Sequence, residues 1–132
     1  MSRILILKQF FGKTLMEIKA YGTDRFDFTH NLLGVDFSVG QFGYAVFSFG
    51  ESNIYISVDG LSTIVPPKNN VKELPIKQSI RDHFVGAVLE MIEYDGETYW
   101  IQFAGFEVLR GCFVPNDGYT DRSYFELEFP WV

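Results

Sequence analysis

Apolar and polar positions alternate with a period of two along most of the chain. In residues 35–65, Phe37 and Val39 alternate with Ser38, residues 45–49 form a second run, and residues 54–58 a third. That period sends successive side chains to opposite faces of a strand. Gly50-Glu51-Ser52-Asn53 and Asp59-Gly60 separate the runs. Asp-Gly between alternating segments is a hairpin signal, because glycine supplies the positive φ a twisted turn needs. Residues 87–114 repeat the scheme with strands at 88–93, 98–103 and 106–114, turning at Tyr94-Asp95-Gly96-Glu97 and at Ala104-Gly105. A last strand over 124–129 sets Phe125, Leu127 and Phe129 on one face and Glu126 and Glu128 on the other, and Pro130 stops it.

Helical spacing is confined to one place. Ile76, Ile80 and Phe84 fall at i, i+4 and i+8, Lys77, Arg81 and Asp82 lie outside that stripe, and Pro75 suits a first turn. A shorter helix of a turn or two is expected over 29–33. Residues 3–10 predict a buried strand, and 14–21 a second strand paired with it through a turn at Phe11-Gly12, since a short loop costs little closure entropy. Leu15 and Ile18 alone would also permit a helix there. Residues 66–70, Pro-Pro-Lys-Asn-Asn, predict a loop within one domain.

The two alternating sets also resemble each other. Asn31-Leu32-Leu33-Gly34-Val35 aligns with His83-Phe84-Val85-Gly86-Ala87, and Phe47-Ser48-Phe49 aligns with Ile101-Gln102-Phe103. Each copy predicts a short helix closed by a glycine suited to a left-handed position, followed by three antiparallel strands. The expected fold is therefore mainly β (α+β). It is an antiparallel sheet or partly open barrel of two related helix-plus-meander halves, over about 29–65 and 76–114, within a single domain spanning 1–132.

Composition narrows the class. Fourteen Phe, seven Tyr and only 21% charged residues favour packed strands over disorder. Cys112 is alone and forms no internal disulfide. The apolar run at 4–7 is too short for a signal peptide or a membrane span, so a cytoplasmic protein without membrane contact is expected. Charge is unevenly placed. Residues 1–81 hold seven acids and nine bases (+2), whereas residues 82–132 hold ten acids and two bases (−8). Such a field repels nucleic acid and attracts a basic protein surface, although charge of this kind also serves plain solubility.

Catalytic and metal chemistry find little support. His30 and His83 occupy matching places in the two copies, but no H-x-x-x-H or C-x-x-C accompanies them, and helix-terminal histidines suit the dipole and the last carbonyls. Cys112, between Gly111 and Phe113, predicts inert packing. No G-x-S-x-G elbow and no phosphate-cradling glycine loop occurs. Asp117 and Asp121 flank Tyr119 on a loop that lacks the oxygen-ligand order of a calcium site and suits an Asx turn or partner contact. Glu126 and Glu128 have their Cα atoms about 7 Å apart, which any amphipathic strand would produce. No metal and no cofactor is expected.

The stretch Leu32-Leu33-Gly34-Val35, Gly40-Gln41-Phe42-Gly43-Tyr44, Val46-Phe47-Ser48-Phe49 and Ile56-Ser57-Val58-Asp59-Gly60 resembles a group of small, uncharacterised bacterial proteins with two related β-meander halves. Gly86, Asp95-Gly96, Gln102-Phe103, Gly105, Val108-Leu109, Asn116-Asp117-Gly118-Tyr119 and Tyr124-Phe125-Glu126-Leu127 extend the resemblance over about residues 30–130. These are structural glycines and alternating strands, so the resemblance speaks to fold. It implies immunity function only through the frequent position of such proteins beside polymorphic toxins. The expected function is a non-enzymatic protein-binding module, an immunity protein that neutralises a nuclease-type toxin. A basic partner would contact Asp117, Tyr119, Asp121, Glu126 and Glu128. A small-molecule-binding β-barrel is the alternative.

Overall fold

The computed structural model describes residues 4–23, 37–114 and 124–128; the side chains of 37, 38, 114 and 124–128 are left aside. Among the described residues eleven strands form two antiparallel sheets. The six-stranded sheet has the order β1-β8-β9-β10-β11-β3, built from β1 (Leu5–Ile6), β8 (Leu89–Tyr94), β9 (Thr98–Phe103), β10 (Leu109–Val114), β11 (Tyr124–Glu128) and β3 (Phe37–Gly40). The five-stranded sheet has the order β6-β5-β4-β2-β7, built from β6 (Gly60–Ser62), β5 (Asn53–Ser57), β4 (Tyr44–Ser48), β2 (Glu17–Gly22) and β7 (Lys72–Leu74). The helix α1 (Gln78–Phe84) follows β7.

Alternation decides which faces meet. On the five-stranded sheet Ile18, Phe47 and Ile54 stand in one cross-strand row and Ala20, Ala45, Ile56 and Leu61 in the next, all buried. On the six-stranded sheet Ile92, Ile101 and Leu109 form a buried row, with Leu89 beside Phe103. One apolar cluster unites these residues with Ile80 and Phe84 of α1. Removing such rows from water is the main favourable term of folding. Rings fill the space between layers, with Phe47 and Phe84 both packed on Phe103 at 6.4 and 6.0 Å.

One corner joins the sheets. Gly12 and Leu15 donate to the carbonyls of Leu89 and Ala87, and Leu89 and Gly86 donate back to Lys13 and Leu15. At the next residue Met16 donates to Ser48 of β4 at 2.8 Å. The chain thus passes from one sheet to the other within residues 15–16. The two sheets do not close into a barrel.

The second alternating set folds as expected into the β8–β9–β10 meander, and α1 buries Ile80 and Phe84 as its spacing implies. Gly86 follows α1 with φ +98, and Gly60 sits with φ +116 at the Asp-Gly turn between β5 and β6. Other expectations need correction. Residues 3–10 are not one buried strand. β1 spans two residues, Ile4, Leu5 and Ile6 are exposed, and a 3-10 turn at Lys8–Phe10 carries Leu7 and Phe10 inward. β2 is a strand, but it pairs with β4 and β7 and not with β1, because its buried Ile18 and Ala20 face the other layer. The likeness of the two halves stops at local pattern. β8 pairs with β9, whereas its counterpart β3 pairs with β11 in the sheet opposite β4. The helix expected over 29–33 lies outside the described residues. No helix among the described residues is long and apolar enough to cross a membrane.

Candidate functional site

The described strands that follow α1 share one sheet. From residue 87 onward every described strand, β8 to β11, belongs to the six-stranded sheet. On the face turned away from the core, register sets Glu93 beside Trp100 and Trp100 beside Arg110, while Met91 lies beside Gln102 and Thr98 beside Cys112. Trp100 and Glu93 are half-buried and Arg110 is exposed. A register shift between Leu89 and Met91 leaves Glu90 as the extra, exposed residue. Bulges of this kind commonly re-aim a side chain next to a functional surface.

Glu126 and Glu128, two of the five residues expected at a partner interface, lie on β11 in register with Cys112 and Arg110. Asp117, Tyr119 and Asp121 lie outside the described residues. Pattern reading passed over Trp100, although the alternation Thr98-Trp100-Gln102 against Tyr99-Ile101-Phe103 already marks it as facing outward. Its neighbours Glu93 and Arg110 depend on strand register and were not readable.

The turn at the far end of this face is fixed by its own carboxylate. Asp95 Oδ1 accepts hydrogen bonds from the backbone N–H of Thr98 at 2.8 Å and of Glu97 at 2.9 Å. Those donors favour the charged form and hold the Asp95 pKa below its ordinary 3.8. Tyr94 donates to the Gly96 carbonyl at 2.9 Å, and partial burial followed by the Asp95, Asp59 and Glu97 charges raises its pKa.

Among the described residues His83 and Cys112 lie apart from one another in the fold. The His83 ring sits edge-on to Phe84 and Phe106 at 5.1 and 5.0 Å, and its buried Nε2 has no protein partner. Nothing orients it as a base. His30 lies outside the described residues. Cys112 is half-buried and registered between Thr98 and Glu126, not sealed in the core as its apolar neighbours suggested, because its parity on β10 is that of Arg110. Among the described residues no group of three or more His, Cys, Asp or Glu is placed to hold a metal ion.

The five-stranded sheet carries a second feature that sequence pattern did not reveal. A groove of about 300 Å³ on its outer face is lined by Glu17, Lys19, Tyr21, Tyr44, Tyr55 and Val65 among others. Tyr21 and Tyr44 stack at 5.1 Å and Tyr55 meets Tyr44 edge-on at 5.9 Å. These tyrosines are distant in sequence and meet only because β2 pairs with β4 and β4 with β5.

Comparison of the chain with family models, curated proteins and solved structures found no match.

Proposed function

We propose that the chain is a non-enzymatic protein-binding module, an immunity protein that neutralises a cognate bacterial toxin by docking a basic surface on the open face of the six-stranded sheet. The observation that carries this reading is the row Glu93, Trp100, Arg110 and Glu128 across β8 to β11, with Glu126 one pleat away. Tryptophan at the centre of a patch is a frequent binding anchor, and acidic residues at neighbouring register positions suit a basic partner. Arg110 gives the patch one cation with which to set orientation. Opposite charge chiefly speeds encounter, up to about 10⁸–10⁹ M⁻¹s⁻¹ at low salt. Asp117, Tyr119 and Asp121, which precede β11 in sequence, complete the set of acidic and aromatic residues expected to meet that partner.

The barrel alternative is less favoured. Phe10, Phe47, Phe84, Phe103 and Tyr99 are buried in the interior, and two grooves lined by described residues open outward.

The test is co-expression with a candidate toxin, such as one found encoded by a neighbouring gene, together with binding kinetics. Wild-type protein is expected to protect the cell. Reversal of Asp117, Asp121, Glu126 and Glu128 to lysine, or Trp100→Ala, should abolish protection while leaving the β-sheet circular dichroism unchanged. Full protection and unchanged affinity in both variants would remove this face from consideration.

A further inference from the structure

The groove on the opposite sheet has its own chemistry. Val46 forms its floor, the stacked Tyr21–Tyr44 pair one wall, and Tyr55 with Asn53 the other; Ser48 and Glu17 line it as well, and Val65 reaches in from the loop after β6. Asn53 Nδ2 donates to the Tyr55 hydroxyl at 3.2 Å. Burial, then the neighbouring Tyr21 and Tyr55, raise the Tyr44 pKa, so its phenol keeps its proton.

Three classes of ligand fit poorly. Among the described residues the nearby cations are paired, Lys19 with Glu73 at 3.7 Å and Arg81 with Glu17 at 3.0 Å, which disfavours a phosphate or other anion. Those same pairings neutralise the carboxylates a cationic ligand would seek. An extended peptide finds no ladder to join, because β5, β4 and β2 are interior strands whose backbone groups are already paired. What the groove offers is aromatic surface ringed by hydroxyl, amide and carboxylate groups on side chains alone. That is the complement of a neutral sugar ring, whose C–H face packs on the negative face of an aromatic ring while its hydroxyls take polar partners.

We infer that the Tyr21–Tyr44–Tyr55 groove is a binding site for a neutral saccharide, holding a single hexose ring. The site lies on the sheet opposite the toxin-docking face and stands or falls independently of it. A volume of about 300 Å³ is at the small end of ligand sites and matches a single ring with its waters. Small polar ligands of that size bind at roughly millimolar affinity.

Titration of the full chain with methyl β-D-glucoside, N-acetylglucosamine and cellobiose, followed by NMR of the tyrosine rings, tests the assignment. Saturable shifts confined to Tyr21, Tyr44, Tyr55 and their neighbours are expected for at least one sugar. Tyr55→Ala should weaken that binding about tenfold or more. Tyr55→Phe, which keeps the ring and drops the hydroxyl, should fall between, and it supplies the comparison should the alanine variant not fold. Absence of saturation with all three sugars would overturn the proposal. So would unchanged affinity in both variants, or tighter binding of tetramethylammonium or of an unstructured peptide at the same rings.

Discussion

Tyr99 carries a phenol into the interior between the sheets, where its hydroxyl donates to the Ser57 carbonyl of β5 at 2.5 Å. Burial, with the charges of Tyr94 and Asp59 adding to it, pushes the pKa far up, so the proton stays and the bond persists across the accessible pH range. Replacing Tyr99 with Phe leaves that carbonyl without this donor, and a stability loss of about 1–2 kcal/mol is expected in urea unfolding. Gly43 is constrained differently. A Cβ there would fall onto the Tyr21 carbonyl and the Val39 methyl, and backbone cannot yield as a flexible side chain would. Gly43→Ala should therefore destabilise by roughly 2–3 kcal/mol, near the upper end for overpacking, measured the same way. For Asp95 the folded pKa lies below 3.8, so its contribution is fully present above that value and is lost as pH falls through the lower folded one. The Glu97 and Thr98 amide signals should titrate with a midpoint below 3.8; a midpoint at or above it would contradict the turn as described. The Asp-Gly turn was readable in sequence. The Tyr99 bond was not, since it links residues 42 positions apart.

Helix α1 shows what an element owes to its surroundings. It has seven residues and no side-chain cap, and so short a helix is not stable alone. Its anchors are Ile80 and Phe84, the latter packed against Phe103 at 6.0 Å and Phe106 at 5.0 Å. Phe84→Ala is expected to cost about 3–5 kcal/mol through lost burial and a residual cavity. Asp82→Ala, on the exposed side, should stay within about 0.5 kcal/mol. Thermal melts of the two variants check the contrast. The spacing of Ile76, Ile80 and Phe84 made this helix legible, as alternation did for β4, β5, β8, β9 and β10. β7 was not, because Lys72, Glu73 and Leu74 carry no period and become a strand only by lying against β2. The loop before β7 is held by Lys68, which reaches the Gln41 carbonyl at 3.1 Å and Asp59 at 3.2 Å, contacts that no local pattern announces.

At the scale of the molecule, the described strands of the two sheets differ in charge. The strands β8 to β11 bear Glu90, Glu93, Glu126 and Glu128 against Arg110, while β2 and β7 bear Glu17 and Glu73 against Lys19 and Lys72. If the acidic layer steers a basic toxin, raising salt from 50 to 500 mM should slow association by tenfold or more and change dissociation little, since screening shortens the reach of exposed charges. Stopped-flow binding checks this, and a salt-independent rate would argue against an electrostatic dock. Sequence by itself determined the strand-rich class, the positions of several turns, the buried stripe of α1 and the clustering of carboxylates after residue 81, because all of these depend on residues a few positions apart. Tertiary structure alone decided which strands became neighbours. It split β3 from β4 between sheets, moved β2 away from β1, gathered Tyr21, Tyr44 and Tyr55 into one groove, and set Trp100 between Glu93 and Arg110. Pairing is chosen by burial of whole faces against one another, and that free energy belongs to no single segment.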